Sequence, residues 1–266
     1  PLLQQRDSKQ IQRVTIDHLK FILCIFVVLI HSNIVHYAPQ NGLTITNESN
    51  PIYFYLSQFI SETVCRISVP SFFVISGYLF FIKVDNFSIG AYFRKIRRKN
   101  KTLVVPYLCW NIIITGVYLI MQLIIPAMGS GRIPLVWTWG LNDWIRAFWE
   151  PIDGPLWYIR DLFISMLLSP LVYIVVRKTG AFSILCVVIL YIVGATEIEA
   201  IKPVKLWSIY FFTIGAYLGI NNVNLSEKAN RYKFVNIIPI IYLVLSLINL
   251  KMWDKHLFAF NIIIGI

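Results

Sequence analysis

The chain has 266 residues, of which 57% are hydrophobic and 14% are charged, and its mean hydropathy is +0.67. Soluble domains are about half apolar and about a quarter charged, so this composition excludes an ordinary soluble protein. The formal net charge of +11 does not indicate nucleic-acid binding, because the basic residues cluster beside long apolar segments, as they do in membrane proteins.

Seven apolar segments and the start of an eighth are long enough to cross a membrane. In chain order they cover residues 16–36, 52–82, 102–126, 156–176, 181–196, 205–220 and 234–250, and the eighth begins near His256. Pro70 predicts a break in the second segment. The tryptophan-rich stretch 133–150 is predicted to lie at the membrane surface, since indole rings favour the headgroup boundary. The sequence therefore predicts an all-α, polytopic transmembrane helical bundle.

Lysine and arginine are distributed unevenly among the predicted loops. If the N-terminus is cytoplasmic, most of them fall on the cytoplasmic side. Cytoplasmic loops of membrane proteins carry an excess of these residues, so we expect a cytoplasmic N-terminus. The predicted location is the inner or plasma membrane of a bacterium.

The first predicted span carries two ionisable residues, with Lys20 toward one end and His31 near the other. A titratable side chain inside a membrane is costly and marks a functional-site hypothesis, and histidine exchanges protons near neutral pH. Eleven positions are close to three helical turns, so both side chains project from about the same face, roughly 16 Å apart. That spacing fits an extended ligand with a phosphate at one end and a reactive group at the other. His31 also fits an interfacial residue without a chemical role.

Further charges lie in the second and fourth spans. Glu62 and Arg66 are four residues apart, so they share a helical face and can pair. The pair either fixes helix packing by neutralising its own charges or lines a polar cavity. Arg160, which follows Trp157 at the start of the fourth span, is either an interfacial anchor or a substrate contact.

The densest basic cluster is a predicted loop, Arg94-Lys95-Ile96-Arg97-Arg98-Lys99. It either sets the membrane topology and contacts anionic lipid, or it binds the phosphates of a cytoplasmic ligand, because arginine forks match phosphate oxygens. The histidines lack the spacing of a metal site, so no metal is expected.

Five sequence elements, in order along most of the chain, resemble the acyltransferase-3 family of integral membrane acyltransferases. Lys20 and His31 match its R/K-x10-H signature, and Val69-Pro70-Ser71-Phe72-Phe73-Val74-Ile75-Ser76-Gly77-Tyr78-Leu79 is similar to its PxFFxxSGyL element. The other three are the basic loop followed by Val105-Pro106-Tyr107, and the segments 156–160 and 211–219. Because members usually have about ten spans, we interpret residues 1–266 as an acyltransferase-3-like membrane domain that is incomplete at its C-terminus.

The resemblance implies an enzyme that transfers an acyl group, usually acetyl, from cytoplasmic acyl-CoA to a hydroxyl of a cell-envelope glycan or small molecule. It implies that His31 is the catalytic base and Lys20 its motif partner. The residues expected to contact the donor are Lys20, Arg94, Arg97, Arg98 and Lys99. Candidate oxyanion donors are Asn33, Arg66 and Ser76, and the predicted substrate cavity also includes Glu62, Trp157 and Arg160.

The order of elements is also similar to that of the membrane-bound serine racemases of vancomycin resistance, in which the module is fused to a soluble enzyme. Two other functions stay open. One is a transport module for a small polar solute such as an amino acid, with the intramembrane charges lining its pathway, although the chain shows no inverted repeat. The other is a sensing or anchoring module for a fused partner. The expected partners are membrane lipid, acyl-CoA, the acceptor and a second copy of the chain, without nucleic acid.

Overall fold

A computed structural model describes residues 2–33, 50–82, 84, 87–125, 135–193 and 204–225, with side chains from Gln10 onward. This part of the chain is helical and contains no β-strand. Its α-helices are α1 (Leu2–His31), α2 (Pro51–Ser57), α3 (Ser68–Phe81), α4 (Ile89–Lys99), α5 (Val105–Ile124), α6 (Leu141–Trp149), α7 (Trp157–Leu167), α8 (Ser169–Thr179), α9 (Phe182–Ile192) and α10 (Leu206–Ile220).

By length and composition, three helical stretches of the described residues can cross a membrane: Gln10–His31, Pro51–Phe81 and Ile89–Ile124. The pair Gly154–Leu167 and Ser169–Thr179 adds a fourth if it is one bent span. The all-helical, membrane-type prediction is thus confirmed for this part of the chain. The predicted spans at 234–250 and from His256 lie outside the described residues, and the count of eight spans and the cytoplasmic N-terminus stay predictions.

The second long helix is irregular on the N-terminal side of Pro70, near which a break was predicted. It adopts a π-helical conformation over Gln58–Val64 and a 3-10 turn over Cys65–Ile67 before α3 begins. Pro70 lies in the first turn of α3, where a missing backbone N–H costs little because the first amides of a helix have no intrahelical partner. The irregular turns therefore end three residues before Pro70, so the second helix departs from regular α-helical geometry near this proline and continues through it.

The described residues belong to two compact units. Unit 1 contains α1, the helical stretch from α2 to α3 and the end of α10 from Ile214. Its apolar core forms around Ile16 and Leu23 of α1 and around Ile75 and Tyr78 of α3. These four side chains are apolar residues at helical spacing, so burying them holds α1 against α3.

Unit 2 contains α4 to α9 and the first half of α10. The axes of α7 and α8 differ by 58° at Leu168. Pro170, in the first turn of α8, cannot donate to the carbonyl four residues earlier, and this explains the bend. The hydroxyl of Tyr92 donates to the carbonyl of Leu167 at 3.0 Å, so a carbonyl beside the bend is satisfied from α4.

Candidate functional site

One continuous helix, α1, carries both residues of the family signature. Lys20 lies on the side of α1 that packs into unit 1, one turn from the buried Ile16, and its ammonium pairs with Asp17 at 3.1 Å. His31 is the last residue of α1 and is exposed. The imidazole is therefore accessible to a ligand, whereas the lysine already has a carboxylate neighbour.

Two hydrogen bonds define how α1 lies along its partner helix within unit 1. Near the start of α1, the amide of Gln12 bonds to the hydroxyl of Tyr78, and near its end the Ser61 hydroxyl donates to the Leu29 carbonyl at 3.2 Å. In both helices the bonded residues are 17 positions apart. The two helices therefore run antiparallel as neighbours for about 26 Å.

The ion pair predicted between Glu62 and Arg66 is present on this partner helix. The guanidinium of Arg66 donates through Nε to Oε2 of Glu62 at 2.9 Å and also contacts it through Nη2. Glu62 is buried, while the Arg66 side chain is 40% exposed. Given the antiparallel register, the pair lies at levels along the helix axis between those of Lys20 and His31.

The π-helical segment Gln58–Val64 is a polar, buried part of unit 1. Its residues Gln58, Ser61, Glu62 and Thr63 are all buried, although they belong to a stretch long and apolar enough to span a membrane. A π-helical turn widens a helix locally and occurs frequently at functional sites. Because Ser61 bonds to Leu29, this polar segment lies beside the end of α1 that carries His31.

The candidate oxyanion donors differ in their relation to His31. Asn33 is buried just beyond the end of α1, and Arg66 lies on the helix beside it. Ser76 lies 15 positions beyond Ser61, which corresponds to about 22 Å along the helix axis. The structure therefore places Asn33 two residues after His31, whereas Arg66 lies about seven residues from the level of His31 and Ser76 lies farther still, because α3 carries that serine toward the opposite end of α1.

The basic segment predicted as a loop is helical. Ser88 caps α4 by accepting a hydrogen bond from the Ala91 amide at 3.2 Å, and Ile96 is buried. Lysine and arginine are good helix formers, and an N-cap with one buried contact is enough to continue the helix into α5. Arg94, Arg97 and Arg98 are exposed on α4, whereas Lys99 is half-buried. The helix thus presents a dense row of guanidinium groups.

Arg160 has a buried ionic partner rather than a free surface position. Its guanidinium contacts Asp161 at 2.7 Å and donates to the carbonyl of Trp149. The other carboxylate oxygen of Asp161 accepts the backbone N–H of Lys205 at 3.0 Å. Both charged side chains are almost fully buried, so the network ties together α6, α7 and the residue before α10. Arg160 therefore belongs to a buried network, and its two predicted roles, interfacial anchor and substrate contact, stay predictions.

A cavity of about 280 Å³ in unit 2 adjoins this network, between α5, α6 and α7. Its lining is apolar apart from Tyr107 and Arg160. The Tyr107 hydroxyl donates to the Phe148 carbonyl, and Arg160 bonds to the next carbonyl of the same helix end. Both polar groups of the cavity therefore hold the end of α6. Among the described residues, no group of three or more histidines, cysteines or carboxylates could hold a metal ion.

Two residues of unit 2, Lys205 and Trp207, were missed by the sequence reasoning as neighbours of Trp157, and so was the link from Asp161 to Lys205. The Lys205 ammonium lies 4.9 Å from the centroid of the Trp157 ring, and the Trp207 ring centroid is 5.5 Å from the same ring. One signal was available in the sequence. The helices α7 and α10 each carry a tryptophan in their first turn, and Lys205 immediately precedes α10.

Comparison with known proteins agrees with this helical membrane architecture. The model of the acyltransferase-3 family, described as an acyltransferase domain, matches residues 13–265. The succinoglycan biosynthesis protein ExoH of Rhizobium meliloti (strain 1021) is 26% identical over 215 residues, which cover 79% of this chain and 55% of that protein. The chain thus spans about half the length of this curated relative, and no solved structure matches it. Because the family match covers almost all of the sequence, the chain belongs to the acyltransferase-3 family of membrane proteins.

Proposed function

We propose that this protein transfers an acyl group from acyl-CoA to a hydroxyl of a polysaccharide-type acceptor, with His31 as general base. The family supports acyl transfer, and the relative's role in succinoglycan biosynthesis suggests a polysaccharide acceptor. The observation that carries the assignment of His31 is its position: an exposed imidazole at the end of α1, beside the buried polar segment Gln58–Val64. The acyl group is proposed to be acetyl. The proposed location of the protein is a bacterial plasma membrane.

The proposed reaction needs one proton carrier and one nucleophile. Neutral His31 accepts the proton of the acceptor hydroxyl while that oxygen attacks the thioester carbonyl. The tetrahedral intermediate then collapses, the carbon–sulfur bond breaks, and the proton passes from the imidazolium to the departing thiolate. The products are the acyl ester and free coenzyme A. We propose Asn33, two residues after His31, as the first candidate donor for the oxyanion of the intermediate, and Arg66 as a second candidate.

The Glu62–Arg66 pair suits this chemistry because it supplies polarity without a net charge. Pairing with Arg66 neutralises the Glu62 carboxylate. The Arg66 side chain is 40% exposed, so its guanidinium stays accessible to a ligand. We therefore interpret the pair as part of the substrate cavity as well as a packing element.

Replacement of His31 by alanine tests the proposal, and α1 offers a matched control. His18 is a second exposed histidine on the same helix. His31→Ala should reduce acyl transfer by a factor of about 10² to 10⁴, the usual contribution of a general base, whereas His18→Ala should retain it. The assay is release of free coenzyme A thiol together with mass spectrometry of the acylated acceptor, and both variants should unfold at the temperature of the unchanged protein. Undiminished transfer by His31→Ala would refute the role; solute uptake without acyl product would indicate transport.

The exposed arginines of α4 are the proposed contact for the donor phosphates, because guanidinium groups pair with phosphate in two-point geometry. Arg97→Ala combined with Arg98→Ala should weaken coenzyme A binding in calorimetric titration and leave acceptor affinity unchanged. Lys178→Ala on α8 removes an exposed cation elsewhere in unit 2 and serves as the control. If the double variant binds coenzyme A normally, α4 contacts anionic lipid and sets the topology instead.

A further inference from the structure

Trp157, Lys205 and Trp207 form a small aromatic and cationic surface within unit 2, here called the tryptophan–lysine cluster. The two indole rings meet edge to face, with an interplanar angle of 69° and centroids 5.5 Å apart. The Lys205 ammonium lies over the Trp157 ring at 4.9 Å from its centroid. All three side chains are half-buried, so each keeps an accessible part.

Lys205 retains hydrogen-bonding capacity in this arrangement. Its ammonium contacts the ring face of Trp157, and within the described part of the chain no carboxylate lies at ion-pairing distance from it. The nearby Asp161 carboxylate instead pairs with Arg160 and accepts the backbone N–H of Lys205. A cation–π contact leaves the N–H groups of an ammonium available to an anion.

The buried Asp161 also makes the cluster rigid. Through its two oxygens it joins Arg160, inside α7, to the residue immediately before α10. Since Trp157 begins α7 and Trp207 lies in the first turn of α10, this link holds the two rings at a defined separation. Binding sites on elements held in this way lose little conformational entropy when a ligand arrives.

We propose that the tryptophan–lysine cluster binds a carboxylate-bearing sugar unit of the acceptor. A pyranose ring has an apolar C–H face that packs on aromatic side chains, and its hydroxyl groups stay at the edge. The two indole rings, inclined at 69°, provide aromatic surface for such a sugar, and Lys205 provides the charge-assisted partner for a carboxylate beside them. This inference rests on the proposed acyl transfer to a polysaccharide and specifies the acceptor as an acidic one.

Isothermal titration calorimetry of the full chain in detergent tests the proposal, with oligogalacturonate as the acidic probe and a neutral cello-oligosaccharide as its counterpart. Lys205→Met should weaken oligogalacturonate binding by about tenfold, as expected for a lost charge-assisted hydrogen bond, and leave the neutral probe unaffected. Lys205→Arg should retain binding. Lys178→Met, an exposed lysine of α8, is the matched control and should change neither affinity. Trp207→Leu should weaken both probes.

The titrations are repeated in the His31→Ala background, so their result does not depend on acyl transfer. Binding of oligogalacturonate there, lost on Lys205→Met, supports the cluster even if the proposed catalysis fails. Equal binding by Lys205→Met and the parent chain overturns the proposal, as does failure of the parent chain to bind oligogalacturonate. Binding of the parent chain and of Lys205→Met to phosphatidylglycerol vesicles is measured in parallel. If the substitution weakens binding to the vesicles but not to oligogalacturonate, the proposal is also overturned, because the cluster would then be a membrane-surface anchor.

Discussion

Gly215→Ala tests the closest backbone approach at any glycine of the described residues, the crossing of α10 over α3 within unit 1. A Cβ atom built on Gly215 would lie 1.9 Å from the carbonyl oxygen and 2.8 Å from the carbonyl carbon of Val74, and 2.9 Å from the amide nitrogen of Tyr78. All three are backbone atoms of α3, so no side-chain rotation relieves the overlap. The two helices must separate if alanine is to fit.

The size of the effect follows from this geometry. A carbon atom approaches a carbonyl oxygen to about 3.3 Å, so a Cβ now at 1.9 Å requires a shift of roughly 1.4 Å. Overpacking of a close-packed interior costs about 1 to 3 kcal/mol, and a rigid backbone neighbour puts this site at the upper end, about 3 kcal/mol. For a domain of this size that corresponds to a fall of roughly 6 to 12 °C in Tm.

The assay is thermal unfolding of the full chain in detergent, followed by tryptophan fluorescence. Gly116→Ala is the matched control, because Gly116 lies inside α5 and a Cβ there meets nothing within 4 Å. In that helix interior alanine is favoured over glycine by roughly 0.5 to 1 kcal/mol, so the control should be neutral or stabilising. Equal Tm values for the two variants would refute direct backbone contact between α10 and α3.

Two further substitutions address unit 2. Asp161→Ala leaves the buried Arg160 without its carboxylate and should lower the free energy of unfolding by about 3 to 5 kcal/mol; Asp17→Ala, which breaks an exposed pair, should cost about 1 kcal/mol or less. Similar Tm shifts for these two would contradict the burial of the network. Tyr92→Phe removes the hydroxyl that donates to the Leu167 carbonyl beside the bend. It should lower the free energy of unfolding, measured in denaturant, by about 1 kcal/mol. An unchanged free energy of unfolding would show that solvent satisfies that carbonyl equally well.

Local sequence rules worked where the interacting residues share one helix. The four-residue spacing of Glu62 and Arg66 predicts their ion pair, and the pair is present. The eleven-residue spacing of Lys20 and His31 requires only that α1 be continuous, which it is. In both cases helix geometry alone relates the side chains, so no knowledge of packing is needed.

The same rules failed where neighbouring elements set the local conformation. The basic segment at 94–99 was expected to be a loop because of its charge, but its residues are good helix formers and Tyr92 holds α4 to the end of α7. The break predicted near Pro70 takes the form of irregular turns that precede the proline, and their position could not be read from the sequence. These turns end one residue before α3, so the proline is accommodated in a first helical turn.

The sequence by itself determined the helical, membrane-type architecture, the family and the helix that carries Lys20 and His31, because these follow from hydropathy and from spacing along one chain segment. Only the tertiary structure brought the Asp161 carboxylate to the amide of Lys205, and Gln12 to Tyr78. It also separated Ser76 from His31. Such relations join residues that are far apart in the sequence, and they depend on which helices pack together and in what register, which no local pattern specifies.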